Sequence, residues 1–289
     1  DRPPTPIELA KFVGANRPFV VRGYARTVGL PAYERWSSEY LCAKLGDAAL
    51  TVAVTPDGRA DAIVGERFVE PCEERMTMRS LLDALGAASG DVAYLSSQCS
   101  NLTGELSCLR EDVGDAVPFA REVLPPPDAV NVWIGDERSV TSAHADPYEN
   151  LYVVIRGSKR FTIFPPTERI CLHERLFEPA RYARDEHGGW TIKPSDGALV
   201  PWIAVDPLAP DLDAHPRYRH ARPMVVDVRA GDLLYLPALW IHHVAQRGPL
   251  VVAVNWWSDL DYAGPVWALG QLCRRLAAAA DGREEEDEA

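Results

Sequence analysis

The sequence predicts a mainly β domain with flanking helices, and three observations carry that reading. From about residue 128, short β-rich runs recur: AVNVWI (129–134), NLYVVI (150–155), RFTIF (160–164), MVVDV (224–228), LLYL (233–236) and LVVAVNW (250–256). Turn-forming pairs punctuate them, with Gly157-Ser158 placed as a two-residue hairpin and Gly231-Asp232 as a second turn. Helical spacing of apolar residues is confined to the flanks. Many short strands separated by turns favour a sandwich, a jelly roll or a barrel.

Along the chain, residues 6–13 (PIELAKFV) read as a helix, with Pro6 at a tolerated first-turn position. Residues 17–21 (RPFVV) form a short strand, 33–45 a helix, and 50–54 (LTVAV) alternate as a strand. Residues 77–85 (TMRSLLDAL) open on a Thr cap and read as a further helix. Between Pro165 and Pro223 lies a long insertion whose stretch 200–212 (VPWIAVDPLAPDL) is too proline-rich for a central strand. A segment of that length inside a β domain is more often a functional cover than an idle loop. Residues 262–279 are apolar at helical spacing. The expected organisation is an N-terminal α/β segment at 1–127 packing on a core at 128–260, which the insertion 165–223 interrupts, and then a C-terminal helix and acidic tail at 261–289.

The 289 residues carry a net charge of −12, so the overall basic field that nucleic acid binding needs is absent. An acidic surface instead favours encounter with Lys- or Arg-rich partners. Part of the excess sits in the tail REEEDEA (283–289), which reads as solvated and disordered. Cys42, Cys72, Cys99, Cys108, Cys171 and Cys273 are scattered without a CxxC pair. That pattern argues against a structural zinc site or a disulfide framework and fits a reducing compartment. No apolar run reaches the roughly 18 residues of a membrane span.

The chemistry concentrates at TSAHADPY (141–148). In an extended segment, residues two apart face the same side, so His144 and Asp146 can hold one metal ion together. LPALWIHHV (236–244) places His242 and His243 in an apolar stretch, where a buried imidazole needs a partner for each ring nitrogen and a metal supplies one. Two histidines and a carboxylate on one face leave coordination positions open, as in non-haem Fe(II) oxygenases. Periodicity does not choose between His242 and His243. Lys159 opens KRFTIF, and an inward-facing lysine is costly unless it meets an anion. Asn150, Tyr152 and Val154 share one strand face, as do Val251, Ala253, Asn255 and Trp257.

These motifs, YENLYVVIRGSKRFTIFPP (148–166), GDLLYLPALWIHHV (231–244) and VAVNWW (252–257), resemble those of the jumonji-C oxygenases. NRPFVVRG (16–23), AVTPDGRADAIVGERF (53–68), YLSSQCSNL (94–102) and VPWIAVDPLAPDL extend the likeness over most of the chain, towards the family's peptidyl-lysyl hydroxylases. The resemblance implies a double-stranded β-helix, the cupin-like jelly roll, with Fe(II) held by His144, Asp146 and His242. It selects His242 because the family's ligand stands two residues after the Trp of P-x-x-W-x-H. It also implies that Lys159, supported by Thr141 and Tyr94, pairs with the distal carboxylate of the cosubstrate 2-oxoglutarate, beside Asn150, Asn255 and Tyr152.

The implied reaction consumes O2 and 2-oxoglutarate and hydroxylates a lysine to 3-hydroxylysine in a protein, with GTPases of the developmentally regulated GTP-binding group as substrates. The implied setting is cytoplasmic, with the nucleus as a second location, without nucleic acid or membrane, and with a homodimer through the C-terminal helix as one option. Glu149, Asp206 and Asp211 are the acids expected along the approach of the substrate lysine. One alternative is N-methyl-lysine demethylation at the same metal, disfavoured by the lack of a recognisable chromatin-reader module. Others are a metal-dependent peptidase, disfavoured by the lack of an HExxH helix, and a non-catalytic cupin-like binding module.

Overall fold

A computed structural model of the chain describes residues 2–87, 90–98 and 100–282; Cys99 and the acidic tail lie outside the described residues. Helix α1 (Pro6–Gly14) begins at a reciprocal cap in which Thr5 accepts from the Glu8 N–H and Glu8 accepts from the Thr5 N–H. Strand β1 (Phe19–Val21) and helix α2 (Tyr24–Val28) follow. The single helix expected over 33–45 is two helices, α3 (Pro31–Arg35) and α4 (Ser38–Leu45). The break has a physical cause. Ser37 caps α4 by accepting from the Tyr40 N–H, and Trp36 is drawn into the core, where its indole donates to Asp112. Strands β2 (Leu50–Thr55), β3 (Arg59–Ala60), β4 (Ala62–Val64), β5 (Arg67–Glu70) and β6 (Cys72–Met76) lead to helix α5 (Met78–Ala84), capped by Thr77, and strand β7 (Val92–Tyr94).

The core uses β8 (Ala129–Gly135), β9 (Val140–His144) and β10 (Tyr148–Phe164). The insertion supplies β11 (Glu174–Arg184), β12 (Trp190–Pro194) and β13 (Val200–Ile203). The core resumes with β14 (Met224–Arg229), β15 (Leu233–Leu236) and β16 (Ile241–Asp259), and helix α6 (Pro265–Ala280) follows. The Gly157-Ser158 hairpin does not form. Residues 148–164 are one strand, and Gly157 (φ +67°) sits in a bulge of it. A Cβ there would stand 2.8 Å from the Leu250 carbonyl oxygen, so both conformation and space require glycine.

Strands β10 and β16 pair antiparallel on both sides of that bulge. Their Tyr148 and Asp259 ends are flanked by β15 and β8, with β1 beyond β15. Their Phe164 and Ile241 ends are flanked by β14 and β9, with β3 beyond β9. Two sheets that share two bent strands make the jelly roll of the double-stranded β-helix.

Alternation along β10 sends Leu151, Val153 and Ile155 outward into a core shared with Leu9, Trp36 and Leu41 of the N-terminal helices. Tyr152 and Val154 point into the barrel. In the insertion, β11 pairs with β5 and β12, while among the described residues β13 pairs only with β11, so Pro201 stands in an edge strand. Cys42, Cys72, Cys108, Cys171 and Cys273 are free thiols.

Candidate active site

Pairing of β9 with β16 sets His144 opposite His242 and Thr141 opposite Val244. Three steps on β9 match two on β16, and this extra residue turns Thr141 and His144 to the same face. The chain then leaves the strand, and the Asp146 carbonyl accepts from the Leu239 N–H (2.8 Å), which ties one ligand-bearing segment to the other. The Nε2 atoms of His144 and His242 stand 3.5 and 3.7 Å from Asp146 Oδ2. All three ligand atoms lie within 4.8 Å of one another.

The Nδ1 atoms face the Ser142 carbonyl (2.9 Å) and the Trp240 carbonyl (3.0 Å). A carbonyl can only accept, so each Nδ1 carries a proton and each Nε2 is the nitrogen aimed at the centre, where it offers a lone pair to a cation once any proton on it has left. Asp146 Oδ2 is buried and, among the described residues, has no hydrogen-bond donor. Such an oxygen facing two imidazole lone pairs is a donor set suited to a divalent cation. Burial opposes protonation of His144, but the Asp146 carboxylate outweighs it and pushes His144 up to about 8. Burial and the neighbouring His144 push His242 down to about 4.

Lys159 is 1% exposed. Its Nζ donates to the Tyr94 hydroxyl (3.0 Å) and is surrounded by the rings of Tyr94, Trp133 and Tyr152 at 5.4, 5.7 and 5.4 Å. No ion pair meets it among the described residues, and burial pushes the ammonium down to about 7. Asn255 accepts from the Trp133 indole (2.8 Å) and donates to Asn150 Oδ1 (3.2 Å). Thr141, Asn150, Tyr152, Lys159 and Asn255 line one pocket with His144, Asp146 and His242, and Tyr94 closes it beside Lys159.

Each of the three acids expected along the substrate approach has partners of its own. Glu149 precedes Asn150 on a strand and so faces the opposite side, where its carboxylate is taken by the Tyr235 hydroxyl (2.6 Å) and the Ala238 N–H. Asp211 is exposed and caps its own turn through the Asp213 and Ala214 N–H groups. Asp206 is paired with Arg59 at 2.9 Å. His243, turned away from the triad, is buried, and among the described residues neither of its ring nitrogens is hydrogen-bonded. The sequence reading missed Trp133, although its place in AVNVWI put it on the inward face with Asn131. It also missed Trp202, which lies flat on His144 with ring centroids 5.6 Å apart and planes 3° apart.

Two outcomes follow from this geometry. His242→Ala should abolish Mn(II) binding measured by calorimetry, and His243→Ala should retain it; equal loss in both would contradict the choice of ligand. An anion beside Lys159 favours its ammonium, so if the distal carboxylate of 2-oxoglutarate takes that place its binding would take up a proton above about pH 7. At saturating Mn(II), 2-oxoglutarate affinity should therefore fall from pH 7 to pH 9, by up to about tenfold per pH unit. Lys159→Ala should weaken binding by roughly tenfold to a hundredfold and flatten that slope. A steep slope retained in Lys159→Ala would assign the proton to another group.

The profile of the family described as cupin-like domain matches residues 4–263. The human protein named bifunctional peptidase and (3S)-lysyl hydroxylase JMJD7 is 44% identical over 267 residues, which cover 91% of this chain and 84% of the relative. JmjC domain-containing protein E of Dictyostelium discoideum is 32% identical over 90% of this chain and 83% of its own. Lysine-specific demethylase JMJ32 of Arabidopsis thaliana is 33% identical over 91% and 81%. Matched along nearly its whole length to these relatives, with a His–Asp–His centre inside a jelly roll, the chain belongs to the cupin-like jumonji-C family of 2-oxoglutarate-dependent oxygenases.

Proposed function

We propose that this enzyme is an Fe(II)- and 2-oxoglutarate-dependent oxygenase that hydroxylates a lysine side chain of a protein to 3-hydroxylysine. One observation carries the reading: a single pocket holds two unmet electrostatic demands. At one end a buried Asp146 oxygen accepts no hydrogen bond among the described residues and two imidazole Nε2 atoms converge on it. At the other a buried lysine lacks an anion. His144, Asp146 and His242 would hold the iron. Lys159, with Tyr94 and Thr141, would take the distal carboxylate of 2-oxoglutarate, and Asn150, Asn255 and Tyr152 would flank the cosubstrate. When bound, iron and 2-oxoglutarate supply an oxidation in which one atom of O2 enters succinate as CO2 leaves and the other enters a C–H bond.

The chain's own part is placement and exclusion. The Ser142 and Trp240 carbonyls fix both imidazole tautomers. Trp133, Tyr152 and Phe161 wall the cosubstrate end with aromatic surface that keeps water out. Lysine as the oxidised residue is supported by the name of the human relative. A GTPase of the developmentally regulated GTP-binding group as substrate, a cytoplasmic location with the nucleus as a second, and a homodimer through the exposed Leu269, Leu272 and Leu276 of α6 belong to the same proposal.

The test is tandem mass spectrometry of such a GTPase after incubation with enzyme, Fe(II) and 2-oxoglutarate. The expected result is one added oxygen atom on the third carbon of a lysine, lost when 2-oxoglutarate is omitted or in His144→Ala. Loss of a methyl group from a methylated lysine would move the assignment to demethylation. Backbone cleavage without 2-oxoglutarate would move it to a peptidase.

A further inference from the structure

We propose that Asp61 accepts the ammonium of the substrate lysine beside the metal centre; this rests on the reading that a lysine enters the site. The motif TPDGRADA around it has no role in the cosubstrate pocket. Strand β3 runs parallel to β9, with Arg59 beside Val140 and Ala60 beside Thr141. The next residue, Asp61, therefore emerges next to Ser142, at the end of the barrel that carries His144. The Ser142 hydroxyl donates to the Asp61 carbonyl and accepts the Trp202 indole N–H (2.9 Å), and Trp202 is the ring stacked on His144. Asp61, Ser142, Trp202 and His144 thus form one cluster.

The backbone at Asp61 is left-handed (φ +50°), a conformation that aspartate adopts more readily than most residues but still at some cost. Its carboxylate is partly buried and, among the described residues, accepts no hydrogen bond and joins no ion pair. Burial pushes it up to about 6, with His144, Glu70 and Glu73 as its charged neighbours. Other acids are committed: Glu70 to Arg181, Asp206 to Arg59 and Asp146 to the metal centre. Glu73 is exposed.

A desolvated carboxylate without a partner and an incoming ammonium that must shed water complement one another. The chemistry of the product agrees. The third carbon of lysine is four bonds from its nitrogen, so an acceptor for hydroxylation belongs beside the triad and not at it, and Asp61 stands next to Ser142, two residues before His144. Removal of an N-methyl group would bring the nitrogen itself to the metal.

The experiment measures binding of a fluorescent single-lysine peptide from the GTP-binding protein, and of its norleucine copy, to the Mn(II)–2-oxoglutarate complex by polarisation. Asp61→Asn should weaken the lysine peptide by roughly tenfold to a hundredfold and leave the norleucine copy unchanged. Asp61→Ser removes the same charge should the Asn variant fail to fold, and Asp61→Glu should restore part of the preference for lysine. Unchanged binding of the lysine peptide, or equal losses for both peptides, would overturn the proposal. Charge-dependent binding without hydroxylation would remove the proposed reaction and leave the role of Asp61 standing, whereas hydroxylation that is indifferent to Asp61 would do the reverse.

Discussion

The bulge at Gly157 is the constraint on which the site depends. Before it, the residues of β10 that face the barrel are even-numbered, Tyr152 and Val154; after it they are odd-numbered, Phe161 and Ile163. The change of phase is what turns Lys159 inward on the same strand as Tyr152. Without it, a strict period of two would carry Lys159 to the outside and leave the pocket with no cation. The same strand pairing sets Ile163 opposite His242 and Tyr152 opposite Asn255, so one register positions a metal ligand at one end and the flanking amides at the other. A second bulge, on β9, brings Thr141 and His144 to that same interior.

Electrostatics explains why the arrangement is tolerated. A buried lysine whose charge meets only the Tyr94 hydroxyl, and a buried carboxylate oxygen that accepts no hydrogen bond among the described residues, cost the ligand-free fold free energy. The large apolar core on the outer face of β10 and β16 offsets that cost and holds the strands in place. The site is therefore built ahead of its ligands, at the expense of stability, as expected where function rather than packing selects the residues.

Much of this was legible in the sequence. H-x-D in an extended segment, a histidine in an apolar strand and a lysine heading a β run are each ambiguous alone, and together they converge on a polar, metal-bearing barrel interior. The misreadings have physical causes. Gly157-Ser158 carries the residue preferences of a hairpin, but a bulge calls for the same positive φ, and only the pairing of residues 148–164 with one continuous strand separates the two. Residues 33–45 kept helical spacing across a break created by Ser37 and a buried Trp36. Glu149 was placeable from alternation, because its neighbour Asn150 faces inward. Asp61 was not, since TPDGRAD reads as a turn and its nearness to His144 comes from β3 lying beside β9, a long-range pairing that no local pattern encodes.

The central claim is that the His–Asp–His centre and Lys159 act as the two ends of one cosubstrate site. Calorimetric titration of 2-oxoglutarate into the chain under argon, first with Mn(II) bound and then after chelation, tests it most directly. The account predicts one binding site per chain with Mn(II) present and a loss of most of the affinity once the metal is removed. Equal affinity in both states would show that the two ends are not one site.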